Sequence, residues 1–514
     1  MRRALAIAGI NAALLLAASS ASLADAFCGG VAIEPEPSFP LTEQQCAQLS
    51  ALRAAAEHGL DPADYDFDEL QLLAAHALNA NGQRLDELLE RAYSHYADDV
   101  GYGRVEPGLS DPEWYIPNPP RDAATTGYPD SGDASADPQN PPYPPHAEYA
   151  RLQQAMSAYL SIHAAGGWPQ IPAGPNLSVG MRDARVETAL KHLRITGDFD
   201  GYVQADAWFF GADLDAAVRR FQARHGLKVD GVVGGDTRDV MNVPVEFRIE
   251  QLAVAMERWR WLPRDLGERY AWVNAAELTL ELIVHGEPVL SSRAIVGHSS
   301  RQTPSLQSEI RQLVFNPTWS VPTTIATEDL LPKVQRDPEF LSRGGYRVFT
   351  GWGAETREVN PSTVDWAAQH PDRLRYRFVQ NPGPNNSLGR LKVVFNNPYD
   401  IYLHDTPAKN LFTLRTRMFS SGCVRVERAY AFADYLLANY SGVSELTTAQ
   451  ILEKPETQTI DLEQRIPIYL VYITAWVTAD GQVNFRRDLY GRDKAVAEAM
   501  RGMRRAEDGL VSTR

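Results

Sequence analysis

Residues 401–430 read IYLHDTPAKNLFTLRTRMFSSGCVRVERAY. His404 precedes Cys423 by nineteen positions, and the other two cysteines, Cys28 and Cys46, lie far upstream. Ser420, Ser421 and Gly422 are small residues that let the chain turn tightly and approach a ligand just before Cys423. The spacing of Ala429, Phe432, Tyr435 and Leu436 predicts a helix that Cys423 directly precedes and that ends near Gly442. A thiol in that position feels the positive end of the helix dipole, which favours the thiolate, and Arg425 adds cationic charge. His404 ends a short strand, DIYLHDT, from which an imidazole can take the thiol proton. A buried structural cysteine is the rival reading, but such a residue sits more naturally in an apolar run than in Ser-Ser-Gly-Cys-Val-Arg. No metal site is expected, because no second cysteine is nearby and His404 has no ligand partner at helical spacing.

Outward from this stretch the texture is β. YAWVNAAELTLELIVHGEPVLSSRAIVG alternates Leu278, Leu280, Leu282 and Val284 before a turn at His285-Gly286. IRQLVFNPTWSVP and LKVVFNN read as further strands, and IPIYLVYITAWVTADGQVNF as a long apolar strand with a hairpin at Asp480-Gly481. Residues 325–390 are rich in Pro, Gly, Trp and charge and too long for a simple connection, so they read as an inserted lid. The charged end of the chain, GRDKAVAEAMRGMRRAEDGL, reads as a solvated helix.

Upstream the pattern is helical. Thr42 is a cap candidate for a helix running to Gly59, with shorter helices at DFDELQLLAAHALNA and LDELLERAYSHYA. Residues 104–145 hold eleven prolines, which excludes a long helix or a central strand. Residues 182–243 form a candidate module of three short helices, with Leu214, Val218 and Phe221 on one face of the second. Arg2 and Arg3, an apolar run and the small residues up to Ala26 read as a secretory signal. Export would let Cys28 and Cys46 pair and would leave Cys423 over. A net charge of -15 over 514 residues argues against nucleic acid as partner. His58, His225 and His298 read as helix-end or loop residues.

His404-Asp405-Thr406, then Ser420-Ser421-Gly422-Cys423-Val424-Arg425, resembles the signature of L,D-transpeptidases with a YkuD-type catalytic domain. VGHSSRQTPSL, FNPTWSVP, NPGPNNSLGRLKVVF and YLHDTP are similar to segments of the large periplasmic members. LDAAVRRFQARHGLKVDGVVGGDT resembles a three-helix peptidoglycan-binding module, and HGLDPADY and GGWPQIPAG resemble the helical scaffold of the same subgroup. Ser421 stands where smaller members usually carry His. The resemblance implies a multidomain α+β protein: a signal peptide (1–26), a helical scaffold (27–181), the module (182–243), a scaffold helix or linker (244–266), a mostly β catalytic domain (267–496) and a tail (497–514). It implies 3→3 crosslinking of peptidoglycan stem peptides in the periplasm, without cofactor, through a Cys423 thioester and with carbapenems as inhibitors. His404 would be the general base and acid, and the Gly422 N–H an oxyanion donor. Tyr402, Arg425, Trp319, Ser421 and Asp405 are candidates for contact with substrate, Asp405 reading equally as a turn residue that caps its own backbone. Water as acceptor, in an L,D-carboxypeptidase or endopeptidase, a non-catalytic wall-binding scaffold, and cell-wall synthesis partners are the further readings the resemblance leaves open.

Overall fold

A computed structural model describes residues 41–76, 80–120, 141–201 and 206–511. The signal sequence, Cys28 and the middle of the proline-rich stretch lie outside the described residues. The described residues form two compact units, divided so that those up to 104, with 120 and 141–145, make the first and those of 105–119 and from 146 onward the second.

In the first unit, Thr42 caps helix Glu43–Arg53 through a reciprocal capping box with Gln45. The helix expected to continue to Gly59 instead tightens into a 3-10 turn, Ala54–His58, and Gly59 closes it at φ 71°. Leu52, Leu70, Leu85, Leu89 and Tyr96 meet in a core of helices, and Tyr65 donates a hydrogen bond to the buried Asp99 at 2.9 Å. His58 is buried and stacks on Tyr143 at 4.3 Å.

In the second unit, three helices (Arg185–Ile195, Ala212–Arg224 and Gly235–Met241) enclose Val186, Leu193, Leu214, Val218, Phe221 and Met241. The expected apolar face of the second helix is the buried one. Fully buried His192 lies edge-on to Trp168 and Phe221, and neither ring nitrogen has a hydrogen-bond partner. Burial, with the charges of Arg224 and Arg248, pulls its pKa down to about 3. The unfolded chain therefore takes up a proton below pH ~6.5 that the folded chain refuses until about pH 3, so this residue costs stability as pH falls through that window. The variant His192→Phe should gain on the wild type by about 1.4 kcal/mol per pH unit between those limits. Urea unfolding at several pH values checks it; a difference that does not vary with pH contradicts it.

The strands are β1 (Arg269–Asn274), β2 (Thr279–Val284), β3 (Glu287–Gly297), β4 (Leu306–Phe315), β5 (Trp319–Ser320), β6 (Tyr346–Thr350), β7 (Arg357–Val359), β8 (Tyr376–Gln380), β9 (Leu391–Phe395), β10 (Leu403–His404), β11 (Met418–Ser420), β12 (Val424–Val426), β13 (Gln458–Val471), β14 (Ala475–Val477) and β15 (Val483–Phe485). Nine of them form one sheet in the order β11-β3-β12-β10-β9-β4-β13-β1-β2, and β2 also pairs with β3, which closes the sheet into a barrel-like ring. The β2–β3 hairpin turns at His285 and Gly286, both at positive φ. Period-two burial is plain in β9, where Leu391, Val393 and Phe395 face the core and Lys392 does not. Helix Ala429–Tyr440 covers this core with Phe432, Leu436 and Leu437.

Three expectations need correcting. Cys423 does not directly precede a helix: Val424–Val426 is strand β12, pairing with β3 and β10, and the helix begins only at Ala429. The β-branched valines alternate with Arg425, and two neighbouring strands satisfy their backbone, which outweighs the helical spacing further on. The long apolar strand ends at Val471, because Asn274 accepts the Ile473 N–H and ties the chain away from the ladder; β14 and β15 then form their own hairpin. The last helix, Arg492–Val511, is not solvated where it starts: Arg492, Asp493, Val496 and Ala497 are buried. Asp493 there binds both Arg258 and Thr474.

The inserted segment adds β6, β7 and β8 to β5, which precedes it, to make a second sheet, β5-β8-β6-β7, over a core that includes Leu331, Val334, Leu341, Trp366 and Phe378.

Candidate active site

A cavity of about 870 Å³ opens beside the turn between β11 and β12, and Cys423, His404, Tyr402, Arg425, Trp319 and Ser421 all line it. The parallel pairing of β10 with β12 sets Leu403 opposite Val424 and His404 opposite Arg425, so the histidine strand and the cysteine strand are immediate neighbours. The Val424 N–H donates to the Tyr402 carbonyl at 3.1 Å.

Cys423 is free and half-buried. Its Sγ donates to the main-chain carbonyl of Asp400 at 3.5 Å, and the main chain and hydroxyl of Tyr402 favour its ionised form. Trp319 in turn favours ionisation of the Tyr402 hydroxyl, against the larger opposing effect of burial. Lys392 Nζ lies 4.0 Å from the centre of the Tyr402 ring. Burial pushes the thiol up to about 11, against the pull of the Tyr402 donors and of Lys392 and Arg425. The expectation of a thiolate stabilised by a helix dipole is therefore corrected: no helix starts at Cys423, and burial favours the thiol. Alkylation of Cys423 by iodoacetamide should climb about tenfold per pH unit from pH 7 to 10, since only the ionised sulfur reacts. Mass spectrometry of the tryptic peptide measures this, and a plateau below pH 8 would contradict it.

His404 is buried, and its Nδ1 lies 2.5 Å from the Asp405 carbonyl, which fixes Nδ1 as the protonated nitrogen and leaves Nε2 with the lone pair. Burial, followed by the charge of Arg425, pulls its pKa down to about 3. The imidazole is neutral, and the main-chain carbonyls of Asp405 and Leu388 both act on it against that downward pull. The ring lies 5.7 Å from that of Tyr402.

The structure does not bring every predicted residue to the cavity. The Asp405 carboxylate is buried away from it, accepting from the Arg390 N–H at 3.0 Å and pairing with Lys409. It ties the chain entering β9 to the turn after β10, and does not cap its own backbone. The Gly422 N–H, expected to face an oxyanion, is taken by Ser420 Oγ at 3.2 Å, while Ser420 donates to the Cys423 carbonyl at 2.5 Å. Gly422 is at φ 114°, and a Cβ there would come 3.0 Å from Ile401, so the turn requires glycine for shape and not for a free donor. The main-chain N–H of Cys423 makes no hydrogen bond with another described residue. Ser421 Oγ accepts from Arg301 at 2.9 Å.

Arg425 is half-buried, with no ion pair among the described residues and an unpartnered Nε; burial lowers its pKa. A guanidinium in that state is a ready receptor for a carboxylate. Sequence reasoning missed several lining residues. His298, read as a loop histidine, lines the cavity with Nδ1 2.9 Å from Ser300 Oγ, so a second imidazole is present although Ser421 is not one. Arg301 pairs with Glu328 and Asp329 of the inserted segment, at 2.5 Å each. Nothing local marks these residues, because what places them is tertiary. Among the described residues no group of three or more His, Cys, Asp or Glu is arranged to hold a metal ion. No helix among them is long and apolar enough to cross a membrane. Cys46 is disulfide-bonded.

Residues 268–451 match the model of the YkuD L,D-transpeptidase catalytic domain, residues 38–156 that of a scaffold domain, and residues 182–241 that described as "Putative peptidoglycan binding domain". A Haemophilus influenzae protein named "Putative L,D-transpeptidase" is 35% identical over 247 residues, covering 48% of this chain; the chain spans about half, 49%, of that relative. Among solved structures, an L,D-transpeptidase from Mycobacterium smegmatis is similar at 12% identity over 40% of this chain and 58% of its own, with a TM-score of 0.19. One from Xylanimonas cellulosilytica is similar at 13% identity over 58% and 99%, with a TM-score of 0.18. With the closed sheet, the cavity and the three-helix module in place, the chain is one that carries a scaffold domain, a peptidoglycan-binding domain and a YkuD-type L,D-transpeptidase catalytic domain.

Proposed function

We propose that this protein forms 3→3 crosslinks between peptidoglycan stem peptides outside the cytoplasmic membrane, through a thioester on Cys423. The observation that supports the reading is the meeting, in one cavity, of a half-buried thiol, a neutral imidazole whose Nδ1 faces the Asp405 carbonyl, and a guanidinium with no ion pair among the described residues. As the sulfur attacks the carbonyl before the terminal D-alanine, its proton passes to His404 Nε2. The C–N bond breaks, the same proton goes to the departing amine, and the donor peptide stays as a thioester. Because thiol and imidazole are both neutral at rest, the proton moves during attack and not before it. The Tyr402 hydroxyl and the Cys423 N–H are the donors best suited to the tetrahedral oxyanion, in place of Gly422. Arg425 receives a stem-peptide carboxylate, and Trp319 forms the wall beneath the inserted segment. The module at 182–243 holds the polymer near the site.

Incubation with purified tetrapeptide muropeptides tests this. Crosslinked dimers and free D-alanine are expected by chromatography. D-alanine without dimers would mean that water is the acceptor, and neither product would leave a scaffold that only binds the wall. A carbapenem, an acyl donor of similar shape, should add its mass to Cys423.

A further inference from the structure

The catalytic cavity is not lined by the catalytic domain alone. Glu113 and Tyr115, from a segment within the match to the scaffold domain, form part of its wall. That segment is fixed at several points. Glu257 accepts the Val105 N–H at 3.0 Å, and fully buried Asp111 lies between Arg258 at 3.5 Å and Arg492 at 3.8 Å. Trp114 is buried edge-on to Trp261 at 5.1 Å. The backbone of residues 113–115 then exchanges two hydrogen bonds with Ser305, at 2.7 and 2.8 Å. Beyond this anchor Tyr115 stacks on Tyr399 at 4.2 Å, and the next residue, Asp400, is the one whose carbonyl accepts the hydrogen bond from Cys423 Sγ. The segment therefore reaches the edge of the reacting centre.

The half-buried carboxylate of Glu113 has no ion-pair partner among the described residues. The cation that senses it, Arg492, is committed to Thr303, Ser305 and Gln302. A carboxylate left unpaired in a preorganised wall is a receptor for a cation. Both substrates of the proposed reaction carry a side-chain ammonium at neutral pH, but the donor is already held covalently as the thioester, whereas the acceptor's ammonium still has to be brought up to it. We infer that Glu113, held by the Asp111 anchor and the Tyr115–Tyr399 stack, binds the acceptor's ammonium and so directs the thioester to an amine in preference to water. This rests on the transpeptidase reading. The ammonium first loses one proton to solvent. The amine nitrogen then forms the amide bond as the carbon–sulfur bond breaks, and its second proton passes through His404 to the departing sulfur. Glu113 is thus a positioning residue for the acceptor.

The test uses the full chain and isolates the second half-reaction. The protein is loaded with donor tetrapeptide, the thioester is confirmed by mass, and it is resolved either by a tetrapeptide acceptor or by hydroxylamine, which is largely uncharged at neutral pH. In Glu113→Gln the rate of peptide transfer divided by that of hydroxylaminolysis should fall about tenfold or more, the effect of losing one charged hydrogen bond. The acceptor KM should rise, and Glu113→Asp should recover part of the loss. A ratio equal to that of the wild type overturns the inference while leaving the thioester chemistry intact. Failure of the wild type to form a thioester overturns the underlying reading, and this inference with it.

Discussion

Cys423→Ala should form no thioester and no crosslinked dimer, with a loss of about 10⁴-fold or more in turnover while the fold persists. The sulfur is half-buried at the edge of the core, and its removal leaves the turn's own hydrogen bonds in place: Ser420 to the Cys423 carbonyl, Gly422 to Ser420, and Thr303 to the Gly422 carbonyl at 2.7 Å. His404→Ala removes the imidazole proposed to take the proton of a neutral thiol during attack, and should slow acylation by about 10²- to 10⁴-fold. Mass spectrometry of the carbapenem adduct separates the two, since the alanine at 423 can form none and the alanine at 404 forms it slowly. Dimer formation by Cys423→Ala at anything near the wild-type rate would end the thioester proposal.

The largest loss of stability is expected at Glu257. This carboxylate is fully buried and accepts from Arg260 at 2.7 Å, Trp261 at 3.2 Å and the Val105 N–H at 3.0 Å. Glu257→Ala takes away the carboxylate partner of a buried guanidinium and strands two further donors. Breaking a buried pair in this way typically costs about 3–5 kcal/mol. The double variant Glu257→Ala, Arg260→Met should recover part of that loss, because it also withdraws the stranded cation. Denaturant unfolding measures both; a single variant within about 1 kcal/mol of the wild type would refute the account.

Much of the site was legible because its chemistry is local. The cysteine behind a serine-glycine turn and the histidine at a strand end are each visible in a few residues, and pairing of β10 with β12 brings them to one place. Period two in LKVVF and the apolar face of Leu214, Val218 and Phe221 were equally plain. What could not be read is what distant chain supplies. The helical spacing after Cys423 gave no warning that Val424–Val426 is claimed by two neighbouring strands, so the dipole argument for the thiolate failed with it. Gly422 was read as a donor because backbone N–H groups near a nucleophile often are, but a side chain two residues earlier already occupies it. Asp405 adjoins the base in sequence while its side chain faces the other way. Glu113 and Tyr115 lie about 300 residues from the cysteine, and only tertiary structure sets them in its cavity.

The pairing of β2 with β3 has one more consequence. A sheet joined end to end offers a neighbouring molecule no long row of vacant N–H and C=O groups, which is the template on which strands accrete into aggregates. Among the described strands, the margins left open at β11, β5 and β7 are three residues long or shorter. The domain is thus shielded by its own topology from the commonest way in which β-rich proteins precipitate.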